Sequence, residues 1–261
     1  MVMAADEGPT IHLISDSLAT DGGYIAIADM VGFLGGREHR LIGGIAVMMH
    51  IQRLKLDLPL RATSDADFGV PLALLRDDAT LVDVIEAAGY IKVDGNRWAR
   101  AVDGRRRAVI DVLIPGYTSR LRSSHQVGSV NSTEVPGLSE ALRREPVALQ
   151  AVMHLTDGSR REALVHIPDV VATLALKARV RAYRDETKDA EDLWRCIELV
   201  NAEVGSVEAV ADPEILAILP ILRAELGQGG RSLPAITAGV STEEGQRRRT
   251  RLLALVQSLG A

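Results

Sequence analysis

Apolar and polar positions follow two periods along this chain, and the change from one to the other divides it into segments. Residues 24 to 34 (YIAIADMVGFL) carry apolar side chains on most faces and read as a buried first helix. His39 to Ile42 reads as a short strand that ends at Gly43-Gly44. The next run, IAVMMHIQRL, contains no Gly or Pro and predicts a second helix. It must end before Pro59, because the residue ahead of a proline avoids the helical region. RATSDADFGV (61–70) is half-polar and extended, and Asp78 to Ala88 is a helix capped by Asp78 or Thr80 and stopped by Gly89. Three strands follow, Tyr90 to Val93, Arg97 to Val102 and Arg107 to Ile114, the first two joined by an Asp94-Gly95-Asn96 turn. Pro136 to Arg144 reads as a short helix, and 147–155 and 161–167 as strands around Asp157-Gly158.

From Pro168 the period becomes helical. Helices are expected over 169–184, 188–202, 213–226 and 242–258, with Pro220 kinking the third. GQGGRSLPAITAGVSTEEG, ahead of the last, is expected to be a flexible connection. The pattern predicts an α/β (α+β) domain, a mixed sheet flanked by helices, over 1–165, and a helical domain over 166–261.

Composition narrows the function. With 261 residues, 47% of them hydrophobic, the chain can bury a sizeable core. A net charge of −5 and an aromatic content of 3% argue against a nucleic-acid coating protein or a single-strand binder built on stacking platforms. The single cysteine, Cys196, excludes a disulfide framework, and its neighbours DLWRCIELV suggest a packed thiol. With no export signal or membrane-length apolar run, a cytoplasmic location is expected.

The chemistry-bearing positions are carboxylates. Asp65 and Asp67, spaced by two on an extended stretch, point to one face, because side-chain direction alternates along a strand. Asp111 lies inside the apolar strand VIDVLI, where an uncompensated charge is costly. Hard divalent cations favour such oxygens, and phosphoryl transfer from a nucleotide needs little from a protein beyond metal ions and positioning. Gly43-Gly44 ahead of a helix allows close approach of a triphosphate to a helix N-terminus; taken alone it is an ordinary strand-to-helix turn.

In order, the chain carries Gly43-Gly44, then Arg61, Thr63, Asp65 and Asp67, then Asp111, then Lys177 followed twelve residues on by Asp189, with Asp192 beyond. Over most of residues 40 to 195 this resembles the AbiEii/AbiGii-type nucleotidyltransferases of the polymerase-β-like superfamily, which include toxins of type IV toxin–antitoxin systems. The resemblance implies transfer of a nucleoside monophosphate from an NTP to an acceptor hydroxyl such as the 3′ end of tRNA. It implies Mg2+ or Mn2+ on Asp65, Asp67 and Asp111. Nucleotide contacts would come from Gly43, Gly44, Arg61, Thr63, Ser64 and Lys177, and Asp189 would act with Lys177. A cognate antitoxin belongs to the same expectation. Two positions depart from the family pattern: Ile45 stands where a hydroxyl residue often follows the glycine pair, and Ala66 where a larger aliphatic is usual.

Lys177, Arg181 and Arg184 fall on one helix face, either solvated or lining a cleft, and Asp189 and Asp192 either orient Lys177 or cap the next helix. Between Arg97 and Arg122, seven arginines face only Asp103 and Asp111, a local excess of five positive charges. Arg105, Arg106 and Arg107 are thus either a solvated hairpin end or a guide for an RNA end. No histidine pairs with another at metal-ligand spacing, and His50 reads as structural. Walker A, dinucleotide and Gly-x-Ser-x-Gly signatures are absent. Alternatives are modification of a small molecule, as in aminoglycoside nucleotidyltransferases, and a degenerate transferase that only binds nucleotide or a partner.

Overall fold

The structure, a computed structural model, describes residues 8–61, 63–77, 79–116, 122–127, 130–205, 209 and 211–260. It divides into two compact units, Met1–Asp169 and Val170–Ala261.

The first unit is mixed α/β. Its elements in order are β1 (Thr10–Ile14), α1 (Leu18–Leu34), β2 (Arg40–Ile42), α2 (Gly43–Leu54), β3 (Asp65–Gly69), α3 (Leu72–Asp77), α4 (Ala79–Ala87), β4 (Ile91–Asp94) and β5 (Arg97–Ala101). There follow β6 (Arg107–Gly116), β7 (Arg122–Val127), β8 (Val130–Pro136), α5 (Leu138–Arg143), β9 (Val147–His154) and β10 (Arg160–Ile167). Seven strands form one sheet along the path β2-β3-β6-β5-β4, with β8 also on β6 and β7 on β8; β1-β9-β10 form a second sheet. The long β6 takes two partners in succession on the side away from β3. Its residues Arg107 to Asp111 pair with β5 and Leu113 to Gly116 with β8.

α1 holds this unit together. Ser17 caps its start by accepting from the Thr20 amide, and Gly35 ends it in the left-handed conformation. Tyr24, Ile27, Met30 and Leu34 are buried together with Phe68, Trp98 and Ile110. The helix lies close on β6: a Cβ on Gly22 would sit 2.0 Å from the Arg107 carbonyl oxygen, so only glycine permits the approach. Asp21, fully buried, fastens the helix to the β9–β10 turn by accepting from the Thr156 amide at 2.9 Å and its hydroxyl at 2.6 Å. Burial opposes the Asp21 charge, but the bonds from Thr156 and Ser15 outweigh it and hold the carboxyl below its ordinary range.

The hydrophobic pattern overlooks β1, α3 and the β7–β8 hairpin. In β8 the buried positions include Ser132 and Glu134, polar residues satisfied by distant partners. The Ser132 hydroxyl donates to the Val112 carbonyl at 2.9 Å, and Glu134 accepts from His125 at 2.7 Å. Such a strand carries no apolar alternation. α1 also starts at Leu18, well before the apolar run, because the Ser17 cap sits among polar residues. The expected cap Asp78 lies outside the described residues, as does the side chain of Thr80.

In the second unit the described elements are helices: α6 (Val170–Arg181), α7 (Thr187–Glu203), α8 (Pro213–Leu226), α9 (Leu233–Ile236) and α10 (Thr242–Ser258). α8 runs on through Pro220. The segment expected to be a flexible connection is instead packed. It contains α9, and the amides of Arg231 and Ser232 donate to the carbonyls of Ala224 and Glu225 at 3.2 and 3.0 Å. Buried Ser232 then donates to buried Glu225 at 2.7 Å and accepts from Arg181 at 3.0 Å. A buried carboxylate requires such partners, and they fix a segment whose composition suggests freedom. Among the described residues no helix is long and apolar enough to cross a membrane.

Candidate functional site

β3 and β6 run parallel, with Asp65 beside Val109 and Asp67 directly beside Asp111. Neighbouring strands lie about 4.8 Å apart, and residues of one parity share a face, so all three carboxylates project from the same patch of sheet. The opposite face belongs to the core: Ala66, Phe68, Ile110 and Val112 are all fully buried. The apolar residues flanking each aspartate thus lock the strands and aim the acids away from the core.

Gly43 opens α2 with φ +78°, a left-handed conformation suited to glycine. A Cβ there would lie 2.1 Å from Asp67 Oδ2, so the Asp67 carboxylate rests against the first residue of α2. A helix start is the favourable end of the macrodipole for a negative charge, and Ile42 at the cap position supplies no side-chain bond of its own. Ile45 is buried, so the departure from the family pattern places an apolar side chain in the interior. Ser64 donates to Asp65 Oδ1 at 3.0 Å, and Arg61 and Thr63 lie half-buried just before β3.

A fourth residue, Arg97, takes part in this site. Arg97 pairs directly with Asp111 across the β5–β6 ladder. Its Nε donates to Asp111 Oδ1 at 2.9 Å, and its Nη2 donates to Asp111 Oδ2 at 2.6 Å and to Asp65 Oδ2 at 3.3 Å. The Asp111 hydrogen bond raises the guanidinium's pKa further above its already high ordinary value. Asn96 also reaches Asp111 Oδ1, at 3.4 Å, and is itself held by Thr133 at 3.0 Å. Pairing the strands 97–102 and 107–114 as a hairpin about Gly104 sets Arg97 opposite Asp111, a signal the sequence does contain.

The donor set, three acids on one face with a Cβ-free approach at Gly43, fits a hard divalent cation by its chemistry. As the side chains stand, no group of three or more His, Cys, Asp or Glu among the described residues is arranged to hold a metal ion. Arg97 bridges two of the three acids.

Lys177 and Asp189 belong to the second unit, where each has its own partner. Lys177 Nζ donates to Asp192 Oδ2 at 2.7 Å, and Arg195 donates to the other oxygen of Asp192 at 3.1 Å. Asp189 accepts from Arg184 Nε and Nη2 at 2.8 and 2.9 Å. Asp192, not Asp189, therefore orients Lys177, and the cap position of α7 is Glu186. Of the two readings of this face, simple solvation does not describe it: Lys177, Arg181 and Arg184 each pair with a buried carboxylate, of Asp192, Glu225 and Asp189 respectively.

The basic excess after Arg97 is partly offset by Asp29 and Asp157, carboxylates from elsewhere in the chain. Arg100 pairs with Asp29, and Arg106 pairs with Asp103 at 2.7 Å and Asp157 at 2.6 Å. Arg105 and Arg107 are exposed. His50 is structural: its Nε2 donates to the Pro168 carbonyl at 2.8 Å, leaving Nδ1 to accept from Arg53 at 3.1 Å. Cross-strand pairing brings together histidines that are distant in sequence, stacking His12 on His154 with ring centres 5.4 Å apart. Cys196 is buried, which pushes its thiol pKa up and keeps it unreactive. Compared with protein-family models and with curated proteins, the sequence matches none.

Proposed function

We propose that this protein is a Mg2+- or Mn2+-dependent nucleotidyltransferase of the AbiEii/AbiGii type, moving a nucleoside monophosphate from an NTP to an acceptor hydroxyl. The observation that carries the reading is the register of β3 on β6, which sets Asp67 beside Asp111 and puts Asp65 on the same face. Asp65, Asp67 and Asp111 would hold the metal ions, which when bound neutralise phosphate charge and lower the pKa of the attacking hydroxyl. In the transfer, the acceptor oxygen bonds to the α-phosphorus, the bond to pyrophosphate breaks, and Asp111 receives the hydroxyl proton. The backbone at Gly43 and Gly44, at the start of α2, offers amide groups and a favourable dipole to the triphosphate. Lys177 enters the reading from the resemblance and from its place at the end of the apolar run VVATLAL of α6.

The resemblance points to the 3′ end of tRNA as acceptor. A small hydroxyl compound is the second reading, and the internal pairing of Arg100 and Arg106 favours it by reducing the basic surface available to RNA. Incubating the protein with each radiolabelled NTP, Mg2+ and either total tRNA or small hydroxyl acceptors tests both. Asp65→Ala and Asp67→Ala should abolish labelling while thermal stability changes little, since each removes one of several clustered negative charges together with a favourable contact, to Arg97 for Asp65 and to the start of α2 for Asp67. Full transfer by both variants would refute the metal assignment.

A further inference from the structure

Arg97 does more than neutralise a buried acid. Its guanidinium engages both oxygens of Asp111 and one of Asp65, two of the three groups assigned to the cation. A divalent cation on those oxygens would stand next to a fixed positive charge, and two cations sharing carboxylate oxygens repel. Arg97 is also placed to leave. Its side chain is 44% exposed, whereas that of Asp111 is 7% exposed. Neighbouring Trp98, fully buried, anchors β5 to the core, so the Arg97 side chain can swing outward on its long stem while the strand stays in place.

We propose that Arg97 is a built-in counter-ion which a divalent cation must displace, and that it then transfers its two-pronged grip to the triphosphate entering with that cation. This rests on the nucleotidyltransferase reading of Asp65, Asp67 and Asp111. Guanidinium groups bind phosphate and carboxylate oxygens in the same bidentate manner, so the exchange replaces one anion by another. The free cation binds weakly because it has to break the clasp without compensation. The cation–nucleotide complex supplies the compensation, and the site therefore fills with both together. Without ligand, the clasp holds Asp65 and Asp111 together.

The test measures Mn2+ binding to the full chain without nucleotide, by the electron paramagnetic resonance signal of free Mn2+, for wild type, Arg97→Gln, Arg97→Lys and Asp111→Asn. Arg97→Gln should bind Mn2+ about tenfold or more tightly than wild type, the gain expected from removing a charge-assisted bond that competes for the same oxygens. Its thermal midpoint should fall in chelator and recover with Mn2+ more than that of wild type. Arg97→Lys keeps the charge but loses the bidentate grip, and should lie between the two; it carries the test if the glutamine variant does not fold. In the presence of Mn2+, both variants should bind a non-hydrolysable NTP analogue more weakly than wild type. If neither variant binds Mn2+ more tightly than wild type while Asp111→Asn binds it more weakly, the clasp is refuted and the metal site stands. If no variant differs from wild type and none binds Mn2+, both the clasp and the nucleotidyltransferase reading fall.

Discussion

Gly43 is where a single atom decides most at the candidate site. Its φ of +78° disfavours any side chain, and an added Cβ would meet Asp67 Oδ2 at 2.1 Å. Gly43→Ala should therefore destabilise the fold by about 1–3 kcal/mol and also turn the Asp67 carboxylate away from its position. Denaturant titration reads the first effect and Mn2+ affinity the second. An alanine variant with unchanged stability would mean that the start of α2 shifts freely. Lys177 offers a complementary case in the second unit. Removing it takes from buried Asp192 a charged hydrogen-bond donor at 2.7 Å, so Lys177→Ala should lose about 1–3 kcal/mol of stability. A lysine that also holds triphosphate should in addition lose about 2–4 kcal/mol of transition-state stabilisation. Comparing denaturation with turnover at saturating NTP separates the two contributions, and stability loss with full turnover returns Lys177 to a structural role.

Among the elements, α1 owes its placement to polar chemistry as much as to its apolar face. The Asp21 carboxylate at its first turn accepts from the amide and hydroxyl of Thr156 in the β9–β10 turn, with Arg106 at 3.6 Å. Because the folded-state pKa of Asp21 is lowered, the stability it supplies is present above the ordinary aspartate value and is lost as pH falls through the folded value. Asp21→Asn should cost about 1.5–3 kcal/mol at pH 7, and its difference from wild type should shrink below about pH 4. Urea denaturation at a series of pH values checks this; a difference that grows on acidification has the wrong sign for the proposed anchor. The segment between α8 and α9 teaches the same lesson. Glycine-rich composition suggests freedom, yet Glu225, Ser232 and Arg181 close the segment through buried hydrogen bonds.

At the scale of the whole molecule, the two units differ in kind, one built on mixed sheets and the other on helices. Among the described side chains of the basic segment, the exposed arginines Arg105 and Arg107 are available to a polyanion, whereas Arg100 and Arg106 are paired. If tRNA is the acceptor, an Arg105→Ala/Arg107→Ala double variant should label tRNA several-fold less at moderate salt, and wild-type labelling should fall steeply as salt rises. Labelling of a small hydroxyl acceptor that ignores both changes would assign the acceptor to that class instead. The sequence by itself determined the helices with continuous apolar runs, the strands around β5 and β6, and the shared face of Asp65 and Asp67, because these follow from short-range periodicity. It also held the order of glycine pair, aspartate pair and lone aspartate. Only the tertiary structure decided that Asp67 sits beside Asp111, that Arg97, placed opposite Asp111 by the hairpin register, also reaches Asp65, and that Asp192 rather than Asp189 holds Lys177. It likewise revealed β8, whose Ser132 and Glu134 are buried because distant groups satisfy them. The reason is common to all of these: a buried polar side chain is defined by its partner, and the partner's position is a property of the fold rather than of the local pattern.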